Sequence, residues 1–306
     1  MPSVLIPYVG PCGKTECQDV FVYLRPETNG VEVESILLRV IHGNSDYQDR
    51  LKLVYLANIP GDFIVARKII EKHYSLQLCF ASNGKKAFTL HMRREFEKFF
   101  HTSFESADII GSFEALNRLH MDFDDLFNLR VPRGDMLKIN GQSVKKYMDC
   151  FIVNYDIPAI LHKNNNETDI AVMIFRTDLE YNMIRRVIDD MGEALIENEI
   201  LHPGKPLSRI FHYSKGPFDQ VRDAIGYLYT KDIKHVDLKR IAFSHFLIER
   251  GISMHRIVET LKNPLMVFHD DRLGDIECDL FTYTMEDTYT EAYEKFMKGK
   301  SLQIQC

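Results

Sequence analysis

Hydrophobic and polar positions fall in short blocks along this chain, and the blocks read as strands and helices in turn. Val20-Phe-Val-Tyr-Leu24 and Leu51-Lys-Leu-Val-Tyr-Leu56 are rich in β-branched and aromatic residues and apolar on both faces. That is the pattern of strands covered on both sides. Residues 33–41 fit a strand or a short helix equally well. Pro60-Gly61-Asp62 opens a predicted helix to Tyr74, with Asp62 as its cap. The run 76–80 (Leu-Gln-Leu-Cys-Phe) then reads as a strand closing a β-loop-α-loop-β unit.

Phe88, Met92, Phe96 and Phe99 lie at helical spacing after Asn83-Gly84. Further helical segments are predicted at 107–119 and 122–129, and Val131-Pro-Arg-Gly134 interrupts the pattern. Asn140-Gly141, between 136–139 and 142–145, is the sequence of a type I′ hairpin. The second half repeats the alternation, with strands at 151–154 and 170–175. Thr177-Asp-Leu-Glu180 has the form of a capping box. The helix after it gathers Leu179, Met183, Ile184, Val187, Ile188, Met191 and Leu195 on one face. Helices at 217–229, 238–250 and 254–262, a strand over 275–284 and a helix over 289–298 complete the reading.

Alternating strands and helices with strands apolar on both faces predict an α/β fold: a mixed, largely covered β-sheet with flanking helices. The break at 131–135 divides the chain into two expected lobes. Residues 1–132 form an N-terminal α/β lobe, and 133–306 a C-terminal α/β lobe with a helical hairpin near 238–262.

Composition changes this picture little. The 306 residues are 45% hydrophobic and 27% charged, ordinary values for a folded chain. The longest apolar run, Ile170-Ala-Val-Met-Ile-Phe175, is far too short to span a bilayer. The N-terminus has neither the basic nor the apolar region of a secretory signal. The expectation is a cytoplasmic protein with no membrane association. Six cysteines stand at 12, 17, 79, 150, 278 and 306. Reduced thiols fit that compartment, with Cys79 and Cys150 as small buried hydrophobes.

The formal charge of −6 is unevenly placed, since seven acids and one base between His269 and Asp287 carry all of it. Bulk charge therefore gives no reason to expect nucleic acid as a partner, and any anion site must be local.

Four stretches carry candidate chemistry. The first turn, from Val4 to Cys17, runs from an apolar strand into Gly13-Lys14-Thr15, the end of a phosphate loop. The first glycine of that motif would fall at Tyr8, and residues 18–25 read as a strand rather than the required helix. Cys12 and Cys17 supply only two metal ligands, so a tight turn carrying two thiols is the favoured reading.

The second stretch is Arg209-Ile-Phe-His-Tyr-Ser214-Lys215-Gly216-Pro217, where glycine before proline marks a helix start. Arg209, Ser214, Lys215 and the Gly216 amide are the candidate ligand-binding residues for an anion. Arg176 joins them if the strand at 170–175 is parallel and central. The plain alternative is a solvated basic loop.

Third, Asp275, Glu277 and Asp279 alternate with apolar residues. They could hold Mg²⁺ or Mn²⁺, but a solvent-facing edge strand explains them as well and is preferred. Fourth, 246–257 has the spacing of a helix-turn-helix, with His255 and Arg256 placed to read bases. Its seven bases and four acids between Lys231 and Lys262 give a small excess, and an ordinary helical corner is the favoured reading.

The sequence thus predicts a cytoplasmic binding or interaction protein recognising a small anionic ligand or a protein partner. The alternative is a phosphoryl- or nucleotide-handling enzyme needing Mg²⁺, with Lys215 and Arg209 on the phosphate and 275–279 on the metal. A helix-turn-helix regulator comes third.

Overall fold

The computed structural model describes residues 1–12, 17–270 and 274–304. The strands are β1 (Ser3–Ile6), β2 (Gln18–Leu24), β3 (Leu51–Pro60), β4 (Ile109–Gly111), β5 (Met136–Ile139) and β6 (Gln142–Tyr147). They continue with β7 (Cys150–Val153), β8 (Asp169–Thr177), β9 (Phe211–Tyr213), β10 (Leu265–Asp270), β11 (Gly274–Asp279) and β12 (Gly299–Ser301). The longer helices are α1 (Val31–Gly43), α2 (Ser75–Asn83), α3 (Leu90–Phe100) and α4 (Tyr181–Glu197). After them come α5 (Pro217–Tyr227), α6 (Ala242–Glu249), α7 (Met254–Lys262) and α8 (Tyr289–Lys298). No helix among the described residues is long and apolar enough to cross a membrane.

The fold is mixed α/β, with three sheets among the described residues. The chain packs as two compact units. The first is Met1–Ile69, Asn164–Val258 and Thr284–Glu294; the second is Ile70–Lys163, Glu259–Tyr283 and Lys295–Cys306. The expected dividing point at 131–135 lies inside the second unit, because the chain leaves that unit and re-enters it.

The first unit is built on a five-stranded sheet of order β1-β3-β8-β2-β9. Every pairing in it is antiparallel. All seven residues of β2 are buried, as its two-sided apolar pattern requires. Val20, Val22 and Leu24 pack with Met173 and Phe175 against Ile36 and Leu37 of α1 and Ile184, Val187 and Met191 of α4. On the other face Tyr23 meets Tyr227 of α5 at 4.6 Å between ring centroids. There the Tyr55 hydroxyl donates to the Tyr227 carbonyl and accepts from the Tyr229 amide.

The second unit contains the sheet β4-β7-β6-β5, in which β4 and β7 run parallel, and the antiparallel sheet β11-β10-β12. Asn140 and Gly141 both have positive φ, 50° and 74°, giving the expected I′ turn between β5 and β6. Phe80, Phe88, Met92, Phe96, Phe104 and Phe151 form the core.

Several expected elements differ. Residues 76–80 are helical within α2. Leu76, Cys79 and Phe80 are buried with Ala81, and the first three fall at i, i+3 and i+4, a helical spacing that a short apolar run hides. The 33–41 segment is helix α1. The helix after Pro60 is two short ones, Gly61–Ala66 and Ile69–His73, separated by Lys68 at φ 51°, and Pro60 rather than Asp62 is the cap. Ile109–Gly111 is a strand pairing with β7, so the 107–119 helix is only Ser112–Arg118. Thr177 still pairs with Gln18 and Leu51 in the sheet, which delays the start of α4 to Tyr181 and leaves no capping box. The strand at 275 ends at Asp279 and gives way to a short helix, Leu280–Tyr283. Cys79 is disulfide-bonded rather than a reduced thiol.

In the second unit Lys145 of β6 is 5% exposed, with its ammonium donating to the Leu129 carbonyl and 3.2 Å from the centroid of the Tyr155 ring. Burial pushes its pKa down to about 8, against a partial opposing pull from Asp156. The folded value lies below the ordinary lysine value of 10.5, so the fold disfavours the charged form. The penalty is complete below about 8 and is relieved as pH rises from there toward 10.5. Stability to urea, followed by far-UV circular dichroism because the chain has no tryptophan, is expected to rise over that window. Lys145→Met should flatten the rise.

Candidate functional site

The predicted anion loop takes a different form in the structure. Leu207–Arg209 is a single 3₁₀ turn, and Phe211–Tyr213 forms edge strand β9 beside β2. Ser214 continues that pairing. Its amide donates to the Phe21 carbonyl, its Oγ accepts from the Phe21 amide, and it is 0% exposed.

Gly216 is extended (φ −171°) and buried. A Cβ there would stand 2.7 Å from the Thr284 carbonyl oxygen, so the 284–285 backbone occupies the space beside it. The Lys215 amide donates to Asp219 Oδ2 at 3.2 Å, and its carbonyl accepts from the Glu286 amide at 2.8 Å. The start of α5 is therefore served by its own first-turn carboxylate. Burial pushes the Asp219 pKa up, and Arg222, 2.6 Å away, pulls against that. Lys215 and Arg209 are exposed on the surface. Close by in sequence, His212 Nε2 lies 3.2 Å from Asp223 Oδ2, and its ring stacks on Tyr23 at 4.5 Å.

Arg176 is committed elsewhere. Strand β8 is central, as expected, but antiparallel to both neighbours, so the crevice rule for parallel sheets does not apply. Arg176 sits directly opposite Asp19 of β2. Its Nε and Nη2 hold Asp19 Oδ1 and Oδ2 at 2.7 and 2.9 Å, and Nη2 also donates to the Gly10 carbonyl at 2.6 Å. Tyr8 donates its hydroxyl to Asp19 Oδ2 at 2.5 Å. Burial, then the Asp19 charge, raises the Tyr8 phenol well above its usual value. The two charged side chains are only 12% and 2% exposed. Of the five predicted ligands, Ser214, Lys215 and Gly216 are contiguous at the α5 start, and Arg176 serves the Asp19 cluster.

The acidic strand β11 is an edge strand, as preferred from sequence. Asp275 faces solvent, whereas Glu277 and Asp279 are bound within the fold. Glu277 Oε1 accepts from Thr89 Oγ1 and Asn140 Nδ2, at 2.5 and 2.7 Å. Asp279 Oδ2 accepts from the Thr282 amide and hydroxyl. Asp275 pairs with His269 at 2.9 Å. No group of three or more His, Cys, Asp or Glu with metal-holding geometry occurs among the described residues. Asp271 and Arg272 lie outside the described residues, as do Gly13, Lys14 and Thr15 of the opening loop and Cys306.

A cavity of about 850 Å³ opens instead in the first unit, lined by Cys17, Gln18, 178–182, Glu286 and 288–291. Two helices begin at it. Glu180 is the cap residue of α4 and gives no side-chain cap. Thr288 and Glu291 cap α8 reciprocally: the Thr288 amide and hydroxyl both donate to Glu291 Oε2, and the Glu291 amide donates to Thr288 Oγ1.

Behind the lining runs a buried chain of hydrogen bonds. Asp19 N donates to Tyr289 Oη, Tyr289 Oη–H to Gln220 Oε1, and Gln220 Nε2 to Tyr181 Oη. Burial raises the pKa of both phenols. Four acids line the space. Asp178 pairs with Arg50 at 2.8 Å, Glu286 pairs with Arg185, Glu291 caps α8, and Glu180 is exposed. The described lining residues include no lysine or arginine.

Sequence reasoning missed this site because it is assembled from three distant segments. One signal was available. Gln18-Asp19 are polar residues at the head of a strand whose next five positions are apolar on both faces, and polar groups carried into such a sheet need buried partners. Comparison with protein-family models, with curated proteins and with solved structures finds no match to this chain.

The Asp19–Arg176 pair gives a direct test of the packing around the cavity. Asp19→Asn leaves Arg176 buried beside a neutral partner and is expected to lower stability by about 3–5 kcal/mol in urea unfolding. Asp19→Leu combined with Arg176→Met should cost less than either single change, because no orphaned charge remains.

Proposed function

We propose that this chain is a binding protein that holds a small polar ligand in the cavity of its first unit, without chemistry. Its size supports the reading, since ligand sites commonly enclose roughly 300–1,000 Å³. The charge of the lining supports a neutral or cationic ligand over an anion, and this one observation carries the proposal. Asp178, Glu180, Glu286 and Glu291 border the space, the first paired with Arg50 and the third with Arg185, and no lysine or arginine is among the described lining residues. The positive ends of α4 and α8, which would otherwise favour an anion, already have Glu180 and Glu291 beside them.

The proposed ligand therefore does not carry the negative charge expected at 209–216. Supporting the change are the buried Ser214, the backbone against Gly216 and the Asp219 carboxylate at the α5 start.

A thermal-shift series separates the two charges. Small alkylamines are expected to raise the melting temperature in a concentration-dependent way, by an amount equivalent to about 2.7 kcal/mol at a hundredfold excess over Kd. Glu180→Gln should weaken that response. Inorganic phosphate is expected to have no effect. Stabilisation by phosphate that is lost in Lys215→Ala, with none by amines, would return the site to the α5 start.

A further inference from the structure

We propose that Cys79 is joined to Cys306, and that this bond is a redox-operated clasp holding the 299–304 segment on the core of the second unit. A disulfide takes two cysteines, and the chain has six. Cys12, Cys17, Cys150 and Cys278 are thiols, whereas Cys79 is disulfide-bonded. Cys306, outside the described residues, is the cysteine that completes the pair.

The described residues fit that partner. Cys79 is 8% exposed, on the buried face of α2, in one cluster with Leu76, Phe80, Phe88 and Leu265. Leu302 and Ile304 pack against the same cluster. Two residues of extended chain reach about 7 Å, so a cysteine two positions after Ile304 is tied close to this core.

The other bonds of the segment are few. Gly299, Lys300 and Ser301 pair as β12 with β10, and Lys300 and Ser301 are exposed. The Leu302 amide donates to the Leu265 carbonyl at 2.9 Å, and the Leu302 carbonyl accepts from Asn263 Nδ2. A three-residue edge strand opens locally at small cost. A covalent bond beyond it removes the open states, and its loss restores them.

The switching step is thiol–disulfide exchange with a dithiol. One dithiol sulfur takes a protein sulfur into a mixed disulfide, and the second then displaces it. Two electrons and two protons pass to the protein, leaving Cys79 and Cys306 as thiols and the dithiol as its own disulfide. Oxidised glutathione supplies the reverse reaction, closing the bond and leaving as two glutathione thiols.

The full chain, treated with oxidised glutathione or with dithiothreitol, tests this. After alkylation of the remaining thiols and tryptic digestion, mass spectrometry of the oxidised protein is expected to find peptide 73–85 joined to 301–306. Hydrogen exchange at 299–304 and 265–268 should quicken roughly tenfold or more on reduction, with β4 unchanged. Cys306→Ser should exchange at the faster rate in both conditions, with its fold checked by circular dichroism. Oxidised wild-type protein with Cys79 linked to a different cysteine, or to none, would overturn the pairing. Exchange at 299–304 that reduction leaves unchanged in the linked wild type, or a folded Cys306→Ser that still responds to dithiothreitol, would overturn the clasp.

Discussion

The buried ion pair between Arg176 and Asp19 is the constraint on which the first unit turns. Two opposite charges at 12% and 2% exposure are tolerated in a sheet only when each meets the other and their remaining hydrogen-bonding capacity is filled. The fold complies on every side, with two guanidinium nitrogens on the carboxylate, a third contact to the Gly10 carbonyl and the Tyr8 hydroxyl on Asp19. The pair fixes the register of β2 against β8, because Asp19 and Arg176 are direct partners. It also ties down the N-terminal segment at Tyr8 and Gly10. One residue before Asp19 stands Gln18, so the same lock that sets the register sets the amide at the cavity wall. One bond away, the Asp19 amide starts the line through Tyr289 and Gln220 to Tyr181.

This arrangement explains why a plausible anion loop is not the favoured site. A glycine-proline helix start after Ser-Lys offers donors and partial positive charge. In this fold the Lys215 amide donates to Asp219 within the helix, and the 284–285 backbone lies against Gly216. Arg176 already has its counter-charge in Asp19. The open space lies where α4 and α8 begin, and acidic side chains line it. Local sequence foretold the donors at the α5 start but not the carboxylate that meets them.

What was legible in the sequence followed from local physics. Strands β2 and β8 showed in their two-sided apolar runs, the hairpin in Asn140-Gly141, and the buried face of α4 in Ile184, Val187, Ile188, Met191 and Leu195. What was hidden depended on distant partners. Residues 76–80 carry too few positions to separate a strand period from a helix period, and packing with Phe88 and Phe96 belongs to the helical answer. The β9 strand is three residues long and exists because β2 offers an edge. Strand direction could not be read at all, and the condition under which Arg176 would join the loop, a parallel central strand, is not met. The site was concealed for the same reason: Gln18, Tyr181 and Tyr289 meet only after the sheet has formed.

Backbone amide chemical-shift mapping of the wild-type chain with a small diamine and, separately, with phosphate tests the location of the site most directly. The cavity predicts diamine-dependent shifts concentrated at Gln18, 178–182 and 288–291, with phosphate leaving Ser214, Lys215 and Gly216 unmoved. Shifts at 214–216 with phosphate, and none around Gln18 with the diamine, would contradict it.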